Sequence, residues 1–161
     1  MHLVRAPLPP GIEALAEVPI RVDRQRLSKL LWRATAEDGM EFGFQLDEPL
    51  HNGEAVWKTA QACYTVRQEP EPVLEIPLDL APDAAAFIGW AVGNLHFAIE
   101  AQPSRLLAPD DPGLRQSLER LGIHFHRAVE VFQPHRLAGK LAGHGHDHGH
   151  SHDHGHGHTH H

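Results

Sequence analysis

The chain has a single cysteine, Cys63, among its 161 residues, so no internal disulfide can form and a reducing compartment suits it. Cations are scarce as well: 14 Lys and Arg face 21 Asp and Glu, for a formal net charge of −7 at pH 7 with histidine neutral. Phosphate binding needs a cationic face, so nucleic acid is not an expected partner. Long apolar runs are missing. The longest, AAAFIGWAV from Ala84, falls far short of the roughly 20 residues that a membrane-spanning helix requires. The N-terminal stretch MHLVRAPLPPG lacks the charged-then-apolar layout of a signal peptide, which points to a cytoplasmic protein without membrane attachment. Catalytic signatures are absent too. There is no Ser/His/Asp or Cys/His arrangement, no Gly-rich phosphate loop and no HExxH, so an enzyme is not expected.

What the chain has in abundance is histidine, concentrated at its end. Gly143 to His161 reads GHGHDHGHSHDHGHGHTHH, with imidazoles at His144, His146, His148, His150, His152, His154, His156, His158, His160 and His161. The residues between them are Gly, Asp, Ser and Thr. Nothing apolar is available to bury, and the glycines maximise the backbone entropy that ordering would cost, so a disordered tail is expected. Neutral imidazole is the commonest protein ligand for borderline divalent cations, and flexible spacers let several rings wrap one ion. Ni(II), Zn(II), Cu(II) and Co(II) all suit such a ligand set, because affinity order alone selects none of them. Asp147, Ser151, Asp153 and Thr159 interrupt the run, unlike the unbroken histidines of an engineered tag.

Ahead of the tail the chain divides near residues 67–72, where RQEPEP has the polar, proline-bearing composition of a linker. Before it the pattern is of short strands. Glu37, Asp38 and Gly39 form a turn signal, MEFGFQL alternates as a strand does, and His51 to Glu54 signals a second turn before a run from Ala55 to Thr59. Leu27, Leu30, Leu31 and Ala34 have helical spacing, but the turn just after them favours a strand that pairs back. Beyond the linker, the order is strand, helix, strand, strand, helix, strand. Val73–Pro77 is the first strand; Pro82 and Asp83 open a helix that Gly93 and Asn94 close. Leu95–Ala101 is the second strand and Arg105–Ala108 the third. Asp111, as N-cap with Pro112 behind it, starts a helix that ends at Gly122, and Ile123–Phe132 is the last strand. The expected class is α+β: a small all-β domain over 1–70, a ferredoxin-like βαββαβ domain over 71–136 with both helices on one face of an antiparallel sheet, and a disordered His-rich tail over 137–161.

This order, with the tetrapeptide Gly93, Asn94, Leu95, His96 after the first helix of the second domain and the His-rich tail, resembles the family of the urease accessory protein UreE. The likeness runs from TAEDGMEFGFQL and EPVLEIPL to the tail. It implies a nickel metallochaperone: a homodimer built through the ferredoxin-like domains, in which His96 of both subunits meets across the two-fold axis to hold one Ni²⁺. It further implies delivery of that ion to the urease apoprotein complex in company with an accessory GTPase (UreG-like), and a peptide-binding N-terminal domain. The chain departs from the family at Leu95, where many members carry Arg. It departs again at Pro109 to Pro112, where some carry an H-D-H cluster and this chain has no histidine.

The remaining candidates rest on residue chemistry. A lone His96 binds metal weakly, and dimer symmetry would supply the second ring. His124 and His126, two apart on a strand, would share a face, as a chelate or as a solvated surface. His135, at the mouth of the tail, could join a site that the tail completes. His2 and His51 read as incidental, and Cys63 as a small core residue. Arg21, Arg24, Arg26, Lys29 and Arg33 form a basic set that reads as a solvated face, though an acidic peptide could use it. A His-rich protein of this kind could also serve as a divalent-metal store or buffer, or as a metal-responsive regulator, for which the tail alone would suffice.

Overall fold

A computed structural model describes residues 1–11 and 15–135 of the protein. The first part holds β1 (His2–Val4), β2 (Ala16–Val22), α1 (Arg24–Leu27), β3 (Leu31–Thr35), β4 (Glu41–Gln45), β5 (Ala55–Lys58) and β6 (Ala62–Gln68). These strands make two sheets, ordered β1-β4-β3 and β2-β6-β5, which share one core. Val4, Trp32, Phe42 and Phe44 come to it from the first sheet, and Ile20, Val22, Tyr64 and Val66 from the second. Alternation along β4 explains the packing: Phe42 and Phe44 point inward and are buried, while Glu41 and Gln45 face water. The predicted turn closes β3 onto β4, with Gly39 at φ 88, a conformation open to glycine at no steric cost.

The second part contains β7 (Glu71–Pro77), α2 (Pro82–Asn94), β8 (Glu100–Ala101), β9 (Arg105–Pro109), α3 (Pro112–Arg120) and β10 (His126–Glu130). Its sheet runs β10-β7-β9-β8 with every neighbouring pair antiparallel. Leu74 and Ile76 of β7 and Leu106 and Ala108 of β9 meet Ile88 and Val92 of α2 and Leu114 and Leu118 of α3, so both helices cover one face. Pro112 at the start of α3 and the Asp111 carboxylate, which accepts from the amides of Gly113 (2.7 Å) and Leu114 (3.1 Å), satisfy that helix terminus as the sequence predicts. The protein is thus mixed α+β.

A strap covers the other face. Residues 131–135 leave β10 at one edge of the sheet and reach β8 at the opposite edge, and Phe132 packs between them on Val73 and Leu107, fully buried. The first part of the chain holds the strap down. Gln68 Nε2 donates to the Phe132 carbonyl at 2.6 Å, the Arg24 guanidinium lies 5.0 Å from the centre of the Phe132 ring, and Arg24 forks onto Glu71 at 2.6 and 3.0 Å.

Several boundaries differ from the sequence reading. The linker at 67–72 shrinks to Glu69 and Pro70, because Arg67 pairs with Glu17 at 2.6 and 2.7 Å and Gln68 is buried: polar residues that composition assigns to a linker are partnered strand residues. Leu27 belongs to the short helix α1, capped by Asp23, and only Leu31 and Ala34 of the helically spaced set lie in β3. The second strand of the second part, expected over Leu95–Ala101, is reduced to β8. The last strand, expected over Ile123–Phe132, is β10 alone. In both places Phe97, Ile99, Ile123 and Phe125 pack against the helix-side core without joining the ladder. Their apolar alternation reports burial rather than strand pairing.

Candidate metal centre

His96 stands at the C-terminal end of α2. The helix does not close at Gly93 and Asn94 as expected. Asn94 is its last residue, Leu95 is the C-cap, and the chain reverses at His96, whose φ of 61 is the only left-handed value at a non-glycine among the described residues. The His96 amide donates to the Gly93 carbonyl at 3.0 Å and the Leu95 amide to Val92 at 3.2 Å, which tightens the last turn. Histidine, with asparagine and aspartate, tolerates this region better than most side chains, at a cost of about 1 kcal/mol. His96 is exposed. It therefore lies in a helix-terminal turn, and not in a strand between Leu95 and Phe97.

Next to it α2 turns an apolar surface outward. Phe87 (48 % exposed) and Trp90 (63 %) pair one helical turn apart, with ring centroids 5.9 Å from each other, and Leu95 (39 %) continues the patch. Leu121 (50 %) adds to it from the end of α3, and Trp90, Asn94, Leu95, Arg120 and Leu121 line a shallow groove of about 250 Å³. Sequence patterning missed this surface, since the run AAAFIGWAV reads as uniformly apolar and does not reveal which side chains the sheet leaves uncovered.

His135 is engaged at the far edge of the sheet. Its amide donates to the Ile99 carbonyl at 2.9 Å, and its Nε2 accepts from the Ala101 amide at 3.1 Å. Glu100 between them accepts from the Gln133 amide. The root of the tail is thereby fastened to β8, in the segment that follows His96 in sequence. No sequence signal pointed to Glu100 and Ala101 as anchors.

The other histidines are dispersed. His124 lies in the loop before β10, and His126 in β10, exposed and opposite Glu75. Glu75 is already held by Arg105 at 3.0 Å, and the same guanidinium forks onto Glu130 at 2.7 and 2.8 Å. Hydrogen bonding to Glu130 chiefly, against desolvation and with help from Glu75, raises the Arg105 pKa. His2 packs on Trp57 with centroids 4.8 Å apart, His51 Nδ1 lies 3.5 Å from Glu54, and Cys63 is buried. Among the described residues no three His, Cys, Asp or Glu side chains come together to hold an ion. The tail histidines from His144 to His161 lie outside the described residues. Among the described residues no helix is long and apolar enough to cross a membrane.

An exposed imidazole at a helix end, beside an apolar face that no described residue covers and the shallow groove next to it, is a surface suited to binding in a protein of the mixed α+β class. The family model for the UreE urease accessory protein, C-terminal domain, matches residues 71–161. The urease accessory protein UreE of Rhodobacter capsulatus is 35 % identical over 149 residues, covering 89 % of this chain and 92 % of that protein. Those of Deinococcus radiodurans (34 % over 120 residues, 72 % and 74 %) and Lysinibacillus sphaericus (26 % over 124 residues, 74 % and 82 %) are also similar. The chain belongs to the UreE family of urease accessory proteins, which are accessory chaperones and not enzymes.

Proposed function

We propose that this protein is a nickel metallochaperone that binds Ni(II) and delivers it to apo-urease during assembly of the urease metallocentre. It acts in the cytoplasm as a homodimer, with the urease apoprotein complex and a UreG-like accessory GTPase as partners. The observation that carries the reading is the position of His96: an exposed imidazole at the margin of the apolar surface made by Phe87, Trp90, Leu95 and Leu121. An apolar patch of this kind marks an interface. A second copy packed there by two-fold symmetry would bring the two His96 rings to one axis, supplying paired ligands without ordering a loop. Residues 71–136 serve as the dimerising, ferredoxin-like domain, which the strand order β10-β7-β9-β8 with both helices on one face supports. Residues 1–70 form the β-rich, peptide-binding-like domain, and 137–161 the His-rich tail.

In this reading His96 is the tight site, and the tail histidines His144, His146, His148, His150, His152, His154, His156, His158, His160 and His161 provide capacity. Each tail chelate must order a Gly-rich chain at about 1–2 kcal/mol per residue fixed, which makes those sites weaker and less selective. Zn(II), Cu(II) and Co(II) compete for the same nitrogens. His135 joins the ligand set only by giving up its bond to Ala101.

Nickel titration of the full-length protein, of a form truncated after Gly143 and of His96→Ala tests the assignment. Truncation is expected to lower the number of ions per dimer and spare the tightest, and His96→Ala to remove the tightest. A truncated His96→Ala protein that still bound one nickel per dimer with unchanged affinity would refute it. A pull-down with urease apoprotein and the GTPase separates delivery from storage or regulation, which require neither partner.

A further inference from the structure

Residues 131–135 are fastened at both ends by groups from distant parts of the chain. At one end Phe132 is fully buried on Val73 and Leu107, its carbonyl accepts from Gln68 Nε2 at 2.6 Å, and the Arg24 guanidinium lies 5.0 Å from the centre of its ring. At the other end His135 donates its amide to Ile99 at 2.9 Å and accepts at Nε2 from Ala101 at 3.1 Å, while the Gln133 amide donates to Glu100. Little slack lies between. Pro134 fixes its own φ and confines Gln133 to extended conformations, so the strap does not absorb a displacement of His135 within itself.

The two fastenings differ in kind. Gln68 is buried, and without the Phe132 carbonyl its carboxamide loses that acceptor, so this joint holds or opens as a unit. His135 is exposed, and its bond depends on the state of the ring. Nε2 accepts only while it carries a free lone pair. A metal on Nε2 takes that lone pair; a metal on Nδ1 leaves the proton of the neutral ring on Nε2, facing the Ala101 N–H. Ligation through either nitrogen therefore breaks the bond to Ala101.

We propose that the strap couples metal occupancy of His135 to the joint between the two parts of the chain. A bare His135 keeps Phe132 pinned by Gln68 and Arg24, and a ligated His135 frees the strap and loosens that joint. The coupling rests on the reading of His135 as a ligand. Linkage makes it reciprocal: a joint weakened at Gln68 raises the affinity of His135 for metal, although Gln68 is bonded to Phe132 and not to His135.

The test is a nuclear magnetic resonance titration of the isotope-labelled full-length protein with zinc, which binds the same imidazoles and, being diamagnetic, keeps nearby signals visible. The signals followed are the Ala101 and Gln133 amides and the Gln68 carboxamide. All should shift over one range of zinc concentration. In His135→Ala the Gln68 signal should already lie toward that of the loaded parent and ignore zinc. In Gln68→Ala the zinc concentration that half completes the Ala101 shift should fall about fivefold or more. Should circular dichroism show Gln68→Ala unfolded, Arg24→Gln, at a partly exposed position, weakens the same joint and serves the same measurement. An Ala101 signal that moves while the Gln68 carboxamide stays fixed, a Gln68 response that persists in His135→Ala, or a midpoint indifferent to the weakened joint would each overturn the coupling and leave the His96 site untouched. An Ala101 signal indifferent to zinc would overturn it by removing His135 from the ligand set. Failure of the chaperone reading is a separate result, namely no tight nickel binding by the whole protein.

Discussion

The Ala101 amide donates to Nε2 of His135 at 3.1 Å, so the imidazole stands where a strand carbonyl would. Its own amide completes the exchange by donating to Ile99. An accepting Nε2 carries the lone pair, which puts the proton of the neutral ring on Nδ1. The last of the described residues is thereby fastened to β8, at the edge of the sheet opposite β10. Nickel on His135 competes directly with that bond. If His135 ligates, loading the protein with nickel should speed hydrogen exchange at Ala101, and His135→Ala should weaken the site. An unchanged Ala101 exchange rate together with unchanged affinity in His135→Ala would remove this residue from the ligand set.

Stability and metal binding should separate at His96. Glycine occupies its left-handed backbone without strain, so His96→Gly is expected to be as stable as the parent or better by up to about 1 kcal/mol, once the greater freedom of glycine in the unfolded chain is subtracted. His96→Val, β-branched at φ 61, should be less stable than either. Both should lose the tightest nickel site. Urea unfolding beside nickel titration checks the pair, and a tight site retained in His96→Gly would exclude the imidazole as its ligand.

Phe132 should be the most sensitive position of the strap. It is fully buried against Val73 and Leu107, and Phe132→Ala is expected to cost about 3–5 kcal/mol through lost burial and the cavity left behind. The loss should reach the joint with the first part, because Gln68 and Arg24 both hold this residue. Denaturant unfolding gives the cost. A change under about 1 kcal/mol, close to that of a surface substitution, would mean that the strap contributes little to the fold.

A pH signature should come from Asp38 and Tyr64. Hydrogen bonds from the Met40 amide (3.0 Å) and then the Tyr64 hydroxyl (2.7 Å) lower the Asp38 pKa from its ordinary 3.8, and the bond to Asp38 raises Tyr64 from 10.0. A lowered carboxyl contributes stability above its unfolded pKa and loses it as pH falls through the folded value. A raised phenol contributes below its unfolded pKa and loses it as pH rises through the folded value. The stability gap between the parent and Tyr64→Phe should thus be level across the neutral range and narrow below about pH 4 and above about pH 10. A gap independent of pH would show that the bond is not made in solution.

Much of this architecture was legible in the chain because the signals are local. Gly39 marks its turn through a positive φ, and Asp111 with Pro112 marks the start of α3 through cap geometry. Alternation along β4 needs only the strand period, and the family shows in the residues around Gly93 to His96 and in the tail. Boundaries failed where burial mimics pairing: Phe97, Ile99, Ile123 and Phe125 alternate like strand residues yet lie under the helices without ladder partners.

The sequence by itself determined the α+β order, the acidic charge, the cap of α3 and the histidine content, because composition and neighbours a few residues apart decide those. Only the tertiary structure decided that His96 closes a helix rather than sitting in a strand, and that Phe132 is a buried anchor 64 residues from the Gln68 that holds it. It also decided that Arg21 and Arg24 are neutralised while Arg33 and Lys29 face water. Those outcomes depend on which carboxylate, carbonyl or apolar face arrives from a distant part of the chain, and no local pattern records that arrival.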